Sequence, residues 1–303
     1  MDLLKQLCSI HAPSGNEGAM TDFILDYIQK NKSSWKVTPQ IFSGEDFQNC
    51  IVLVFGTPRT AVYAHVDNIG FTVRYKNQLV KIGGPHFESG AELTGADSKG
   101  KVDCKAFIDD ENKITYKSAR EIERGTDLSY KPNWREDENF VQCCYMDNRL
   151  GVLNALKLCE TVEHGAIAFS CWEEHGGGSV PYLSKFLFEN FNISQALISD
   201  ITWITEGVHP GQGVVISMRD TGIPRRKFVN KIIELAKESA IPFQLEVEGS
   251  GGSDGTELQK QPYPIDWCFI GAAEDFVHSP NEKVHKKDIE YMFGMYRFLM
   301  SSL

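Results

Sequence analysis

Five separate segments of this 303-residue chain end in side chains that can bind metal ions or move protons. Ala61-Val62-Tyr63-Ala64 leads into His65-Val66-Asp67, and Cys143-Cys144-Tyr145-Met146 leads into Asp147-Asn148-Arg149. Ala166 to Trp172 leads into Glu173-Glu174, Ala196-Leu197-Ile198-Ser199 into Asp200, and Trp267 to Ile270 precedes a loop carrying His278. Imidazole and carboxylate together are ordinary ligands for divalent ions such as zinc. Carboxylates crowded together without a cation repel, and some stay protonated. A pair of metal ions removes that cost. Each residue alone has a plainer reading. His65 and Asp67 can be a structural pair, Asp147 can cap a helix starting near Asn148, and Glu173-Glu174 can be solvated. Asp200 can be a turn residue, and His278-Ser279-Pro280 an ordinary loop. The case for chemistry rests on their joint arrangement.

The runs before these residues read as strands. In an open α/β sheet the ligand site lies beyond the carboxyl ends of the strands, so all five segments point to one edge. Cys50–Phe55 and Ala61–Ala64 are apolar runs joined by the turn Gly56-Thr57-Pro58-Arg59, and Val214–Met218 is a similar run. Helical spacing appears at Leu150, Leu153, Leu156 and Cys159, again at Phe228, Ile232, Leu235 and Ala236, and again at Ile289, Phe293, Tyr296 and Leu299. An earlier helix has Met20, Phe23, Ile24, Tyr27 and Ile28 on one face, and Ser14-Gly15-Asn16-Glu17 predicts a capping box at its start. Strand–helix alternation over 145–303 predicts an α/β fold: a mostly parallel sheet with helices on both faces.

Residues 70–140 differ. They are rich in Gly, Asp, Lys and Glu, with short alternating runs such as Phe71–Tyr75, Lys101–Phe107 and Lys113–Tyr116. The pattern predicts a small all-β domain at 70–140, inserted into an α/β domain made of 1–69 and 141–303. A single long lid is the weaker reading, because loops beyond about 15 residues without structure are uncommon.

The composition excludes some classes. Apolar residues make up 42 % and charged residues 24 %, too ordinary for wholesale disorder. With 31 Lys and Arg against 41 Asp and Glu, the formal charge is −10, the wrong sign for a general binder of nucleic acid or anionic membrane. No run approaches the roughly 20 apolar residues of a membrane span. The eight cysteines are scattered, with no CxxC pair, which argues against a structural zinc ribbon. Without a signal-peptide pattern at the start, the expected setting is the reduced cytoplasm.

Taken in order, H-x-D, D-N-R, E-E, S-D and H-S-P-x-E resemble the motifs of the co-catalytic dinuclear metallo-aminopeptidases. The resemblance is to the glutamyl and tetrahedral aminopeptidase family, some of whose members carry an endoglucanase label. Ala64–Phe71 is similar to the first metal motif, Tyr145–Gly151 to the bridging-aspartate motif, and His278–Glu282 to the last motif. Ile241-Pro242-Phe243-Gln244 with Gly251-Gly252-Ser253-Asp254 resembles a further signature. Asn68, Asn148, Asp275-Phe276 and the glycine-rich His175–Gly178 depart from the usual pattern.

The resemblance implies a phosphorylase/hydrolase-like aminopeptidase fold with a barrel-like β domain after the first metal motif. It implies two divalent ions, zinc with cobalt or manganese as alternatives. Asp147 would bridge them, His65 and Asp200 would complete one site, and Glu174 and His278 the other. Glu173 would be the general base, and Asp67 would orient the His65 ring. The implied reaction is hydrolysis of N-terminal peptide bonds by a homo-oligomer. A deacylase of N-acyl amino acids and a non-catalytic binding protein are the alternatives. Glycoside hydrolysis would leave His65 and His278 unexplained.

Overall fold

The computed structural model of the protein describes all 303 residues. Helices α1 (Asp2–Cys8) and α2 (Gly18–Asn31) precede strands β1 (Gln40–Gly44), β2 (Gln48–Phe55) and β3 (Ala61–His65). Six strands follow: β4 (Gly70–Val73), β5 (Leu79–Ile82), β6 (Glu92–Asp97), β7 (Gly100–Ile108), β8 (Ile114–Lys117) and β9 (Asp127–Tyr130). After β10 (Arg135–Glu136) and β11 (Phe140–Gln142) come α3 (Met146–Leu158), β12 (Gly165–Ser170), α4 (Val180–Phe191), β13 (Gln195–Trp203) and β14 (Val214–Arg219). The chain ends with α5 (Arg226–Ser239), β15 (Phe243–Val247), α6 (Asp254–Lys260), β16 (Asp266–Asp275), β17 (Lys283–His285) and α7 (Lys286–Ser302).

The large sheet has eleven strands around a parallel centre, β12-β3-β13-β16. Its flanks β1, β2, β10, β11 and β17 run antiparallel to their neighbours. Strand β16 has ten residues, long enough to take β14 in its middle and β17 at its end. Strand β12, Gly165-Ala-Ile-Ala-Phe-Ser170, is buried at every position. An unbroken small-and-apolar run of this kind suits a strand covered on both faces. Helices α3 and α7 pack together on one face, and α4 and α6 on the other. Tyr296 ties α7 to the sheet by donating its hydroxyl to Ile198 O at 2.6 Å, with Ile270 O at 2.9 Å. No helix is long and apolar enough to cross a membrane.

The second sheet has the order β5-β4-β9-β6-β7-β8. A Gln78–Thr115 bridge brings its two edges together, so the sheet is a nearly closed barrel. Its interior side chains Phe71, Leu93 and Tyr130 belong to the same continuous apolar core as the large sheet. The six strands span 70–130, while β10 and β11 return to the large sheet through β17.

Strands β2 and β3 are buried and joined by a turn, as expected, and β12 enters between them in the sheet. Three local expectations are corrected. Cys143–Met146 is not a strand; it is a buried turn into α3, apolar because the core surrounds it. Asp200 does not follow its strand, since β13 continues to Trp203. The capping box does not form: Ser14 Oγ instead donates to Asp67 Oδ2 at 2.6 Å, and Glu17 accepts from Gly15 N at 2.7 Å.

Candidate functional site

His65 is the last residue of β3 and Asp200 lies in β13, two neighbouring parallel strands. Asp147 stands at the entry to α3, where its backbone and that of Asn148 are not yet helical. Its neighbour Asn148 does the capping, accepting Gly151 N at 2.8 Å and donating to Ser199 O at 2.9 Å. The Asp147 carboxylate is therefore not used by the helix. Gly151 allows this seating, because a Cβ there would lie 2.1 Å from Ser199 O. Glu173 and Glu174 follow β12, and His278 follows β16.

The geometry is centred on Asp147. Its Oδ1 lies 3.2 Å from His65 Nε2, and its Oδ2 lies 3.2 Å from His278 Nε2. Asp200 Oδ2 is 3.5 Å from the same His65 nitrogen, and Glu174 Oε2 is 3.1 Å from the same His278 nitrogen. Two ligand groups result, His65–Asp147–Asp200 and Asp147–Glu174–His278, each with ligand atoms within 4.8 Å of one another. Glu173 Oε2 stands 3.9 Å from His65 Nε2. All seven site residues expected from the sequence are thus in one place. A cavity of about 300 Å³ opens onto Asp147, Glu173, Glu174, Asp200 and His278.

An oxygen stands behind each imidazole. His65 Nδ1 is 3.4 Å from Asp67 Oδ1, and His278 Nδ1 is 3.2 Å from Gly84 O. Both arrangements direct Nε2 to the centre, the usual support for a metal-binding histidine. Gly84 belongs to the segment between β5 and β6, so the second sheet's connection helps to build the site. A Cβ at Gly84 would meet His278 Nδ1 at 3.3 Å.

The electrostatics match the chemistry of the donor set. Burial raises Glu174 to about 7, aided by the nearby Asp147, and raises Asp200 to about 6. Burial, with Asp200 and Glu174, also pushes Glu173 well above the usual carboxylate range. Burial alone would lower His65, but Asp200, Asp147 and Asp67 outweigh it and hold it well above its ordinary value. His278 also overcomes burial, through Glu174 and Asp147, and is pushed up to about 12. Asp147 is lowered because His278 and His65 outweigh the effect of burial. Glu174 Oε1 is buried without a hydrogen-bond donor. Buried carboxylates crowded around two imidazoles favour added positive charge among them, and divalent cations would supply it. The donor set fits two such ions.

Several supporting residues were not assigned a role from the sequence. Arg149, fully buried, donates to Val66 O at 2.5 Å and to Asn68 Oδ1 at 2.6 Å, which fixes the His65–Asn68 turn. Glu282 Oε2 accepts Asp147 N at 3.3 Å. Asp254, buried, accepts the Ser170 hydroxyl, and burial raises it to about 7. Arg149, Glu282 and Asp254 all lie within the sequence motifs, but motif order does not reveal what their side chains touch.

A family model described as M42 glutamyl aminopeptidase matches residues 79–295, well over half of the chain. The chain belongs to this family. The M42 match begins after His65 and Asp67, whose place in the site rests on the geometry above. A protein of Acetivibrio thermocellus, provisionally named an aminopeptidase, is 25 % identical over 95 % of this chain and 94 % of its own. Among solved structures, aminopeptidase APDkam598 from the archaeon Desulfurococcus kamchatkensis superposes with a TM-score of 0.88 at 18 % identity, over 100 % of this chain and 94 % of that one. The Pyrococcus horikoshii TET1 peptidase gives 0.81 at 20 % identity, over 99 % and 98 %. At these identities the structural likeness shows the M42 chain's fold alone.

Proposed function

We propose that the chain is a metal-dependent aminopeptidase that hydrolyses the N-terminal peptide bond of peptides. The observation that carries this reading is Asp147, whose two carboxylate oxygens each face a different histidine at 3.2 Å. In this reading His65, Asp147 and Asp200 hold one divalent ion, and Asp147, Glu174 and His278 hold the second. The chemistry such ions supply is activation of water at neutral pH and polarisation of the scissile carbonyl. Zinc suits these nitrogen and oxygen donors, and cobalt or manganese would fit as well.

The chain's own residues do the rest. Glu173 lines the cavity beside the centre and would accept the water proton, then return it to the leaving amine. Asp67 orients the His65 ring and accepts the backbone N–H of both Glu173 and Glu174 at 3.1 Å. The acidic rim would receive the free amino group of a peptide. An N-acyl amino acid brings a carboxylate to the same rim, which disfavours the deacylase alternative.

Assembly and domain division belong to the same proposal. The Pyrococcus horikoshii peptidase is described as assembling into a tetrahedron or a large octahedral shell, and a homo-oligomer is proposed for this chain. Residues 70–140 are proposed as an insertion in a catalytic part made of 1–69 and 141–303, with its strands over 70–130 forming the barrel and the rest leading back into the large sheet.

The test combines two measurements. Elemental analysis after reconstitution should give about two divalent ions per chain. A panel of chromogenic amino-acid amides, assayed with zinc, cobalt or manganese restored, should show hydrolysis that a chelator abolishes. Bound metal without hydrolysis of any amide would favour a binding protein, and failure to bind metal would remove the reading.

A further inference from the structure

The cavity extends beyond the proposed metal ligands. Strand β13 carries Asp200 and, two residues on, Thr202; that step is about 7 Å along a strand and keeps both on one face. The Thr202 hydroxyl donates to Glu246 Oε1 on β15. Asp220 and Glu248 line the same arm, and Trp203 and Phe269 contribute aromatic wall. No Lys or Arg lines the cavity.

Glu246 is the decisive residue. It is only 4 % exposed, yet it lines the cavity and has no Lys, Arg or His within ion-pair distance. Asp220 is 8 % exposed, and its Oδ1 is used by Gly222 N at 2.5 Å. Nearby Arg219 directs its Nε to the Asp220 backbone carbonyl, not to a carboxylate. Burial raises the Glu246 pKa, the hydroxyl of Thr202 offsets part of the rise, and Glu248 and Asp220 add repulsion. A buried carboxylate without a counter-ion is costly. The proposed metal pair would neutralise the ligands near Asp147, but these three carboxylates lie outside both ligand groups. What the arm lacks is a cation that reaches in from the reaction centre along an apolar wall. Lysine and arginine side chains have that form, an aliphatic stem with a charged end, and aromatic walls attract such cations further.

We propose that this arm binds the cationic side chain of a lysyl or arginyl N-terminal residue, with Glu246 and Glu248 determining that specificity. The inference rests on the aminopeptidase reading and adds its substrate class.

The test uses the metal-restored protein and lysyl, arginyl, leucyl and glutamyl p-nitroanilides. The lysyl or arginyl amide should exceed the leucyl amide in kcat/KM by about tenfold or more, the range of a charge-assisted hydrogen bond. Glu246→Gln and Glu248→Gln should each reduce the lysyl-to-leucyl ratio, and Glu248→Lys should shift preference toward the glutamyl amide. Hydrolysis with a leucyl or glutamyl preference in the unaltered protein would overturn the inference while leaving the aminopeptidase reading standing. An unchanged ratio in folded variants would overturn it too. A second readout does not depend on turnover: metal-restored protein should bind L-lysinol about tenfold more tightly than L-norleucinol by calorimetry, and Glu246→Gln should remove the difference. Both compounds carry the α-amine, so the difference isolates the side chain, and its loss in the variant places it in the arm. Equal affinities, or a difference that survives Glu246→Gln in a folded variant, would overturn the proposal. If no amide is cleaved, the aminopeptidase reading fails, and the lysinol comparison with its variant still decides whether the arm is a cation pocket.

Discussion

Asp67 accepts the backbone N–H of Glu174 at 3.1 Å, although the two residues lie more than a hundred positions apart. The same carboxylate takes Glu173 N at 3.1 Å and the Ser14 hydroxyl at 2.6 Å, and faces His65 Nδ1 at 3.4 Å. One buried side chain thus couples the orientation of a proposed ligand histidine to the placement of two proposed catalytic glutamates.

The Asp67→Asn substitution tests that coupling. The amide keeps the size but offers one acceptor oxygen in place of two, and it removes the charge facing His65. Metal affinity should fall by about 10- to 100-fold, the usual effect of losing a carboxylate behind a metal-binding histidine. Competition with a metal-sensitive dye measures it, while circular dichroism checks that the fold is retained. Unchanged affinity would show that His65 needs no support from Asp67.

The parallel centre of the fold was legible because β3, β12, β13 and β16 are buried along most of their length, so each contains an apolar run. The order of strands was not legible. Nothing in the composition of β2 and β3 signals that β12 separates them. Ser14 was misread because its local pattern fits a helix cap, whereas a long-range partner, Asp67, takes its hydroxyl. Asp147 and Asn148 show the reverse case: local sequence leaves open which of them caps α3, and the register of the helix against Ser199 decides it. The acidic arm around Glu246 was invisible for another reason. Its carboxylates come from β15 and from the residues just after β14 and β15, and single acidic residues in or beside strands carry no motif.

Arg149 sits fully buried, with acceptors in the Val66–Asn68 segment and Ile10 O at 3.4 Å. Arg149→Met preserves much of its volume but removes every donor, leaving Val66 O and Asn68 Oδ1 without this partner. Each abandoned buried acceptor costs about 1–3 kcal/mol. Urea unfolding should therefore show a loss of about 2–4 kcal/mol. A loss below about 0.5 kcal/mol, the usual size of a surface substitution, would mean that the His65–Asn68 turn holds itself.

His11 supplies a pH prediction away from the proposed ligands. Burial, aided by the charge of Arg149, lowers its pKa to about 4. Its unfolded value is about 6.5. Between those values the unfolded chain takes up a proton that the folded chain refuses. The stabilisation from neutral His11 is therefore complete above about pH 6.5 and is lost as the pH falls toward 4. Partial exposure reduces the size to about 1–3 kcal/mol. His11→Gln should lose less stability than the unaltered protein between pH 7 and pH 4.5 in denaturant titrations. Parallel losses in the two proteins would show that His11 protonates freely in the folded state.

Glu173 and Glu174 are adjacent in sequence, yet their carboxylates go to different places. Glu174 Oε2 lies 3.1 Å from His278 Nε2 within one ligand group, while Glu173 belongs to neither group and faces the cavity. Glu173→Gln removes the basic oxygen but leaves every proposed ligand in place. It should bind two metal ions normally and lower kcat by about 10²–10⁴, the usual contribution of general acid–base catalysis. Glu174→Gln removes a charged ligand instead. One of its metal ions should bind more weakly, and part of the activity should return when metal is added in excess. Metal titration followed by assay separates the two cases. Rescue of the Glu173 variant by metal, but not of the Glu174 variant, would exchange the two roles. Full activity in both would place the reaction elsewhere, since no chemistry at this centre could then depend on either carboxylate.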